Sequence, residues 1–288
     1  MNTTIGVSTW CLQSLTYKEG KQLPEFIEIM ARMGIDSLDI YEEYLPVYPN
    51  PNLYEINQIK KMAAAVNLPI KSTWFYYDAL GSYYAQNLEI TIENIKRFIA
   101  IAAALGCKFL ALPFSNNVPG LGRDEAFETY CKIFEKLIPT AEEYNILICV
   151  ETARQYMPGI ALRVCKKLNS SFFTVCPDTE AWRLETADIP LVHQEAPCTP
   201  PSKPESLELF EECLPYSPCV HFKLLTFNEK GEEPHFPIPE LMNFINNSPI
   251  DHHLCIEYEG WIPDITPNVD SIQETKKCVD LIKRYQKG

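Results

Sequence analysis

Histidine, cationic side chains and unbroken apolar runs are all scarce in this chain. Its 288 residues include 5 His, and 25 Lys and Arg against 38 Asp and Glu, for a formal net charge of -13. A surface of that sign does not track a nucleic-acid backbone, which recruits cations. A small neutral or anionic substrate stays open, because a few local cations can dominate one pocket. The longest apolar stretch, residues 98–114, is interrupted by Gly106 and Lys108. It reads as a helix end followed by a strand, not as a membrane span. The opening Met1-Asn2-Thr3-Thr4 has neither the basic nor the apolar segment of an export signal. Cys-x-x-Cys spacing is absent, and the 11 Cys are odd in number. Reduced thiols and a cytoplasmic location are therefore expected. The expected partner is a small molecule, without nucleic acid or membrane; a homo-oligomer is compatible with the sequence.

What the chain does have is core material. An apolar fraction of 46% with 11% aromatic residues excludes a disordered chain. Strand-like runs at 5–9, 37–41, 70–75, 109–112, 146–151, 172–176, 219–224 and 254–258 alternate with helical patterns. The helical patterns fall near 23–33, 54–66, 85–105, 123–144, 159–168, 204–214, from about 239, and 269–285. Strict alternation of this kind predicts an α/β protein, a single (β/α)8 TIM barrel over residues 1–288, with a doubly wound open sheet as the alternative. One connection is long and rich in Pro, Glu and Thr, residues 179–202. Long loops in compact domains are often functional, so a lid is expected there.

Four of the strand-like runs share one grammar. Ile148-Cys149-Val150-Glu151, Val175-Cys176-Pro177-Asp178, Cys219-Val220-His221 and Cys255-Ile256-Glu257 each end on a metal-type ligand. Each has a cysteine two residues before it, and a two-residue step keeps both on one face of a strand. Active sites of such barrels lie at the C-terminal strand ends. Glu151, Asp178, His221 and Glu257 together suit one divalent ion with positions left open for substrate. The oxygen-rich set favours Mn²⁺ or Mg²⁺, with Zn²⁺ or Co²⁺ as alternatives. Cys149, Cys176, Cys219 and Cys255 are expected to form one inward layer beneath the ligands, filling a crowded interior as small apolar groups.

These motifs, with the opening Ile5-Gly6-Val7-Ser8-Thr9-Trp10, Cys176-Pro177-Asp178-Thr179, Val220-His221-Phe222-Lys223 and Ile256-Glu257-Tyr258-Glu259-Gly260, resemble the xylose-isomerase-like TIM barrels. That superfamily includes sugar-phosphate isomerases and epimerases, and the resemblance spans nearly the whole chain. It implies that Glu151, Asp178, His221 and Glu257 bind one divalent metal. It also implies that Glu151 and Glu257 are the catalytic acid/base pair, moving a proton at the carbon beside a carbonyl. The chemistry fits the residue types: cationic stabilisation of an enediolate makes a carboxylate a sufficient base. Where epimerases of free ketoses often carry a His after the strand-six Asp and an Arg after the strand-seven His, this chain has Ala181 and Phe227. The resemblance thus implies the metal site and not the sugar pocket.

Further substrate-binding candidates flank the strand ends. Lys223 shares a strand face with His221 and is expected at the mouth. Arg154 and Arg183 follow ligand-bearing strands and are candidates to clamp an anionic group. Trp10, Trp74 and Trp182 sit where aromatic rings can stack on sugars, and His193 lies in the long loop. The expected function is a metal-dependent isomerase or epimerase of a sugar or hydroxy-ketone. A lyase or dehydratase acting on a keto-inositol or 3-keto-glycoside, and a non-catalytic sugar-binding barrel, are the alternatives. A DNA-repair endonuclease of the same superfamily would need more histidines and a basic groove.

Overall fold

Short, largely buried runs supply the eight strands, and the computed structural model describes residues 3–46, 51–114, 118–152, 158–184 and 204–286. The strands are β1 Thr4–Ser8, β2 Ser37–Tyr41, β3 Ile70–Trp74, β4 Phe109–Pro113, β5 Leu147–Glu151, β6 Phe173–Cys176, β7 Cys219–Leu224 and β8 His253–Tyr258. All pair in parallel, in the order β6-β5-β4-β3-β2-β1-β8-β7. The gap between β6 and β7 is spanned by a single parallel bridge between Asp178 and His221, with the His221 amide donating to the Pro177 carbonyl at 2.9 Å. The result is a nearly closed eight-stranded barrel with helices between the strands, as the alternation predicts.

The helices are α1 Gln13–Glu19, α2 Leu23–Met30, α3 Leu53–Ala65, α4 Ala79–Ala85, α5 Leu88–Leu105, α6 Arg123–Tyr144, α7 Pro158–Leu168, α8 Leu207–Cys213, α9 Ile238–Asn247 and α10 Ser271–Tyr285. Two differences from the sequence reading have local causes. The helix expected over 85–105 forms as α5, and ahead of it stands the unexpected α4: the Asp78 side chain caps α4 at the Gly81 amide, and the Asn87 side chain opens α5 at the Ile90 amide. The short α1 was not expected; it ends at Gly20, whose φ of 67° is left-handed.

Between the strands and the helix ring lies the main core, where Val7, Leu38, Ile40, Leu110, Leu112, Ile148, Val150, Val175, Val220, Leu254 and Ile256 are buried. The alternate residues fill the barrel and are more polar. At the N-terminal end His253 Nε2 contacts both Asp39 oxygens, at 2.9 and 3.0 Å, and Ser72 donates to Asp39 at 2.6 Å. Phe109 stacks on His253, with ring centroids 5.8 Å apart. Gly6 makes room for this pair, since a Cβ there would fall 2.0 Å from Asp39 Oδ2 and 2.6 Å from His253 Cε1. His253 therefore belongs to the stability face and not to the metal set. The neighbouring His252 gives Nδ1 to the Ser217 carbonyl at 2.7 Å.

Above that floor Cys149, Cys176 and Cys219 pack with Phe109 in a cluster separate from the main core. Cys255 is equally buried but does not join it: the β7–β8 register sets Cys255 beside His221, one step higher. The barrel's stagger breaks the single four-cysteine layer expected from period-two spacing.

Candidate metal centre

Glu151 closes β5, His221 lies inside β7 and Glu257 lies inside β8. Asp178 stands two residues past the end of β6, where it also caps a one-turn helix over Thr179–Trp182 by accepting from the Glu180 amide at 2.8 Å. Its bridge to His221 brings it level with the other three. Ligand atoms of Glu151, Asp178, His221 and Glu257 all lie within 4.8 Å of one another, and all four residues are buried.

At the centre of this set is Lys223. Its Nζ contacts Asp178, and lies 2.9 Å from Glu257 Oε2, 3.3 Å from Glu151 Oε1 and 3.8 Å from Glu259 Oε1. His221 Nδ1 is 2.9 Å from Glu151 Oε1 and 3.5 Å from Glu257 Oε1. Four carboxylates therefore face one lysine and one imidazole in a volume shut off from water. At contacts near 3 Å each attraction is worth roughly 5 kcal/mol at an effective dielectric of 20. That offsets the desolvation of Lys223 but leaves the site short of positive charge.

The protonation equilibria follow from this crowding. Burial pushes the Glu151 carboxyl up, yet Lys223 and His221 outweigh it and hold Glu151 well below the usual carboxylate range. Burial also raises Asp178, and there the nearby Glu151 and Glu257 charges reinforce it against Lys223. Glu257 is raised by burial, with Glu151 and Glu259 adding to the effect. For Lys223 burial disfavours the cation, but Asp178, Glu257, Glu151 and Glu259 raise it well above its ordinary value. Glu151 is thus the carboxyl held towards its ionised form, while Asp178 and Glu257 retain protons more readily. Pairs of groups pushed apart in this way are the signature of acid/base assignments.

An excess of buried carboxylate oxygen around one imidazole is the donor set of a divalent cation. Glu151, Asp178, His221 and Glu257 can hold one, at the place where Lys223 Nζ now stands among their oxygens.

The other sequence candidates divide sharply. Trp74, half-buried at the end of β3, donates its indole N–H to Glu151 Oε2. Trp10, also half-buried, contacts Tyr41 with centroids 4.9 Å apart, and Tyr41 stacks on Trp74 at 4.7 Å and 22°. These three rings make an aromatic wall beside Glu151. Trp182 is not on it: it is 1% exposed, packs edge-on against Phe210 and donates its indole N–H to the Ser206 carbonyl at 2.8 Å. It is a core residue, because the turn after Asp178 points it outward from the barrel mouth into the helix layer. Arg183 is within 3.9 Å of Glu180 Oε1, beside the turn that follows Asp178. Arg154, His193 and residues 185–202 of the expected lid lie outside the described residues.

Two participants were not assigned a role from sequence. Glu259 follows Glu257 by one strand repeat and so faces Lys223, a relation that period-two spacing contains. Tyr41 ends β2 and could have been found the same way as Trp74, as an aromatic at a C-terminal strand end.

The chain covers 99% of its length on a D-psicose 3-epimerase from Clostridium cellulolyticum H10, at 14% identity, 100% of that chain and a TM-score of 0.75. A 3-keto-D-glucoside 4-epimerase, YcjR, from E. coli aligns over 98% of this chain and 100% of its own, at 14% identity and a TM-score of 0.68. The IolI protein, solved with a bound zinc atom, aligns over 99% and 100% at 12% identity and a TM-score of 0.69. No curated protein matches the sequence. At these identities the structures establish a shared fold. Residues 27–280 match the family described as xylose isomerase-like TIM barrel, and with a barrel of that form around the strand-end cluster, the chain belongs to that family.

Proposed function

We propose that this protein is a divalent-metal-dependent isomerase or epimerase of a sugar or related hydroxy-ketone. The observation that carries the reading is the convergence of Glu151 and Glu257 on the same buried imidazole and ammonium, with their ionisation pushed in opposite directions. The solved structures of similar fold named for psicose and keto-glucoside epimerisation support it, as does the zinc in the IolI protein.

Glu151 and Glu257 each act as ligand and as proton carrier, while Asp178 and His221 act as ligands. When bound, a divalent ion supplies the positive charge that stabilises an enediolate. Glu151, ionised in the resting site, is the group ready to take the proton from the carbon beside the carbonyl. Glu257, which holds its proton more readily, returns one from the other side. Lys223, displaced from the centre but held near Glu259, offers an N–H donor to a substrate oxygen on which charge develops. The indole of Trp74 holds the second oxygen of Glu151 and so fixes the orientation of the carboxylate. Trp10, Tyr41 and Trp74 give the substrate an apolar wall that excludes water from that proton.

The test is incubation of the Mn²⁺-loaded protein in deuterated water with a panel of ketoses and 3-keto-glycosides. Deuterium entering beside the carbonyl, in a product of otherwise unchanged mass, supports the proposal. Release of water or of an aglycone assigns the same site to elimination instead. No exchange with any substrate of the panel, at full metal occupancy, overturns proton transfer as the chemistry.

A further inference from the structure

The hard, oxygen-rich cluster uses only one side of His221. Its Nδ1 faces Glu151 and Glu257, whereas Nε2, on a residue 1% exposed, has no hydrogen-bond partner. A buried imidazole N–H or lone pair without a partner is costly and calls for one. Directly below, Cys176 Sγ, Cys219 Sγ and a His221 ring nitrogen lie within 4.8 Å of one another, all fully buried. Cys149 accompanies them, accepting from Thr174 Oγ1 at 3.1 Å and packing with Cys176 and Cys219. Donor atoms around a tetrahedral or trigonal ion stand roughly 3.5–4 Å apart, given metal–sulfur bonds near 2.3 Å and metal–nitrogen bonds near 2.0 Å. The observed spacing is within a small side-chain adjustment of that.

We propose that Cys176, Cys219 and the His221 imidazole form a second metal site, selective for a thiophilic d¹⁰ cation such as Zn²⁺ or Cu⁺. Two thiolates and an imidazole are soft donors, which exclude Mg²⁺ and Mn²⁺ and so separate this site from the carboxylate cluster above it. Each thiol surrenders its proton to solvent as its metal–sulfur bond forms, so two thiolates neutralise a divalent ion; when the carboxylate cluster also holds an ion, the His221 ring gives up its N–H proton as well and bridges the two ions as imidazolate. The cation would take up the free nitrogen of His221 and thereby fix which nitrogen faces Glu151 and Glu257, the orienting role that outer partners play for metal-bound histidines. This site rests on the thiols and the free nitrogen, and stands whether or not the substrate is a sugar.

The experiment is titration of the intact protein, held in excess Mg²⁺ to occupy the hard site, with Cd²⁺ as the thiophilic probe. One equivalent should bind with a sulfur-to-cadmium charge-transfer band in the ultraviolet. The Cys176→Ser, Cys219→Ser double variant should lose the band and bind Cd²⁺ about tenfold or more weakly. Cys213→Ser, buried in the helix layer, should behave as wild type. Absence of the band at equimolar Cd²⁺, or its survival in the double variant, overturns the site and leaves the thiols as packing groups. Should the double variant fail to fold, cadmium-113 resonance of the wild type decides: a shift in the mixed sulfur–nitrogen range supports the site, and one in the oxygen range refutes it.

Discussion

Lys223→Met removes the cation at the centre of the carboxylate cluster while keeping a side chain of similar length. In the metal-free protein the change leaves Glu151, Asp178, Glu257 and Glu259 facing one another with His221 as the only neighbouring cation among the described residues. Breaking a buried ion pair by deleting one partner costs about 3–5 kcal/mol, because a charge is left buried without compensation. Protonation of Asp178 and Glu257, already favoured by burial, relieves part of that, so the lower figure is the better estimate. For a chain of this size about 2 °C of Tm corresponds to 1 kcal/mol, and the metal-free Tm should fall by roughly 6 °C or a little more. A divalent ion replaces the missing charge and no longer competes with an ammonium. Metal at 100 times Kd stabilises any such protein by about 2.7 kcal/mol. Tighter binding in the variant should therefore recover most of the loss, so that the two proteins melt closer together with Mn²⁺ than without it. Differential scanning calorimetry with and without Mn²⁺ reads this directly. If the variant is as stable as wild type without metal, or if Mn²⁺ raises both melting temperatures equally, Lys223 is not the surrogate cation described above.

Further expectations follow from the same geometry. Glu151→Gln and Glu257→Gln should each lower kcat by roughly 10²–10⁴-fold with the fold retained by circular dichroism; a variant with near-wild-type turnover removes that residue from proton transfer. Burial and neighbouring charge raise Asp178 and Glu257, and the acidic groups around His221 raise it against its own burial. The free site thus keeps protons that a metal must displace, so metal affinity should rise with pH and binding should release protons. Calorimetry in two buffers of different ionisation enthalpy measures that release, and its absence contradicts the assigned protonation. Gly6→Ala should cost about 3 kcal/mol or more, since its methyl group collides with the buried Asp39–His253 pair; an unchanged denaturation midpoint would show that the pair can move aside.

The barrel was legible because strands and helices alternate, and because buried parallel strands keep an inward and an outward residue in step of two. That step also identifies Glu151, His221 and Glu257 as residues of one rim, and adds Lys223 and Glu259 to the same faces. It carries no information on stagger between strands, which is why Cys255 appears in line with the other three cysteines in sequence but sits beside His221 in space. Nor does it say how a chain turns once a strand has ended. Trp182 follows Asp178 closely, yet the one-turn helix between them rotates the indole into the core. The central position of Lys223 depends on all eight strands closing into a ring, a relation among residues far apart in sequence.

Direct metal analysis bears most heavily on the strand-end cluster. Wild-type protein, Glu257→Gln and His221→Ala should be reconstituted with Mn²⁺, freed of excess ion and measured by elemental analysis. One ion per chain in the wild type, lost or strongly weakened in both variants, is the predicted result. A wild type that retains no divalent ion, or variants that retain it undiminished, would contradict a metal centre built from Glu151, Asp178, His221 and Glu257.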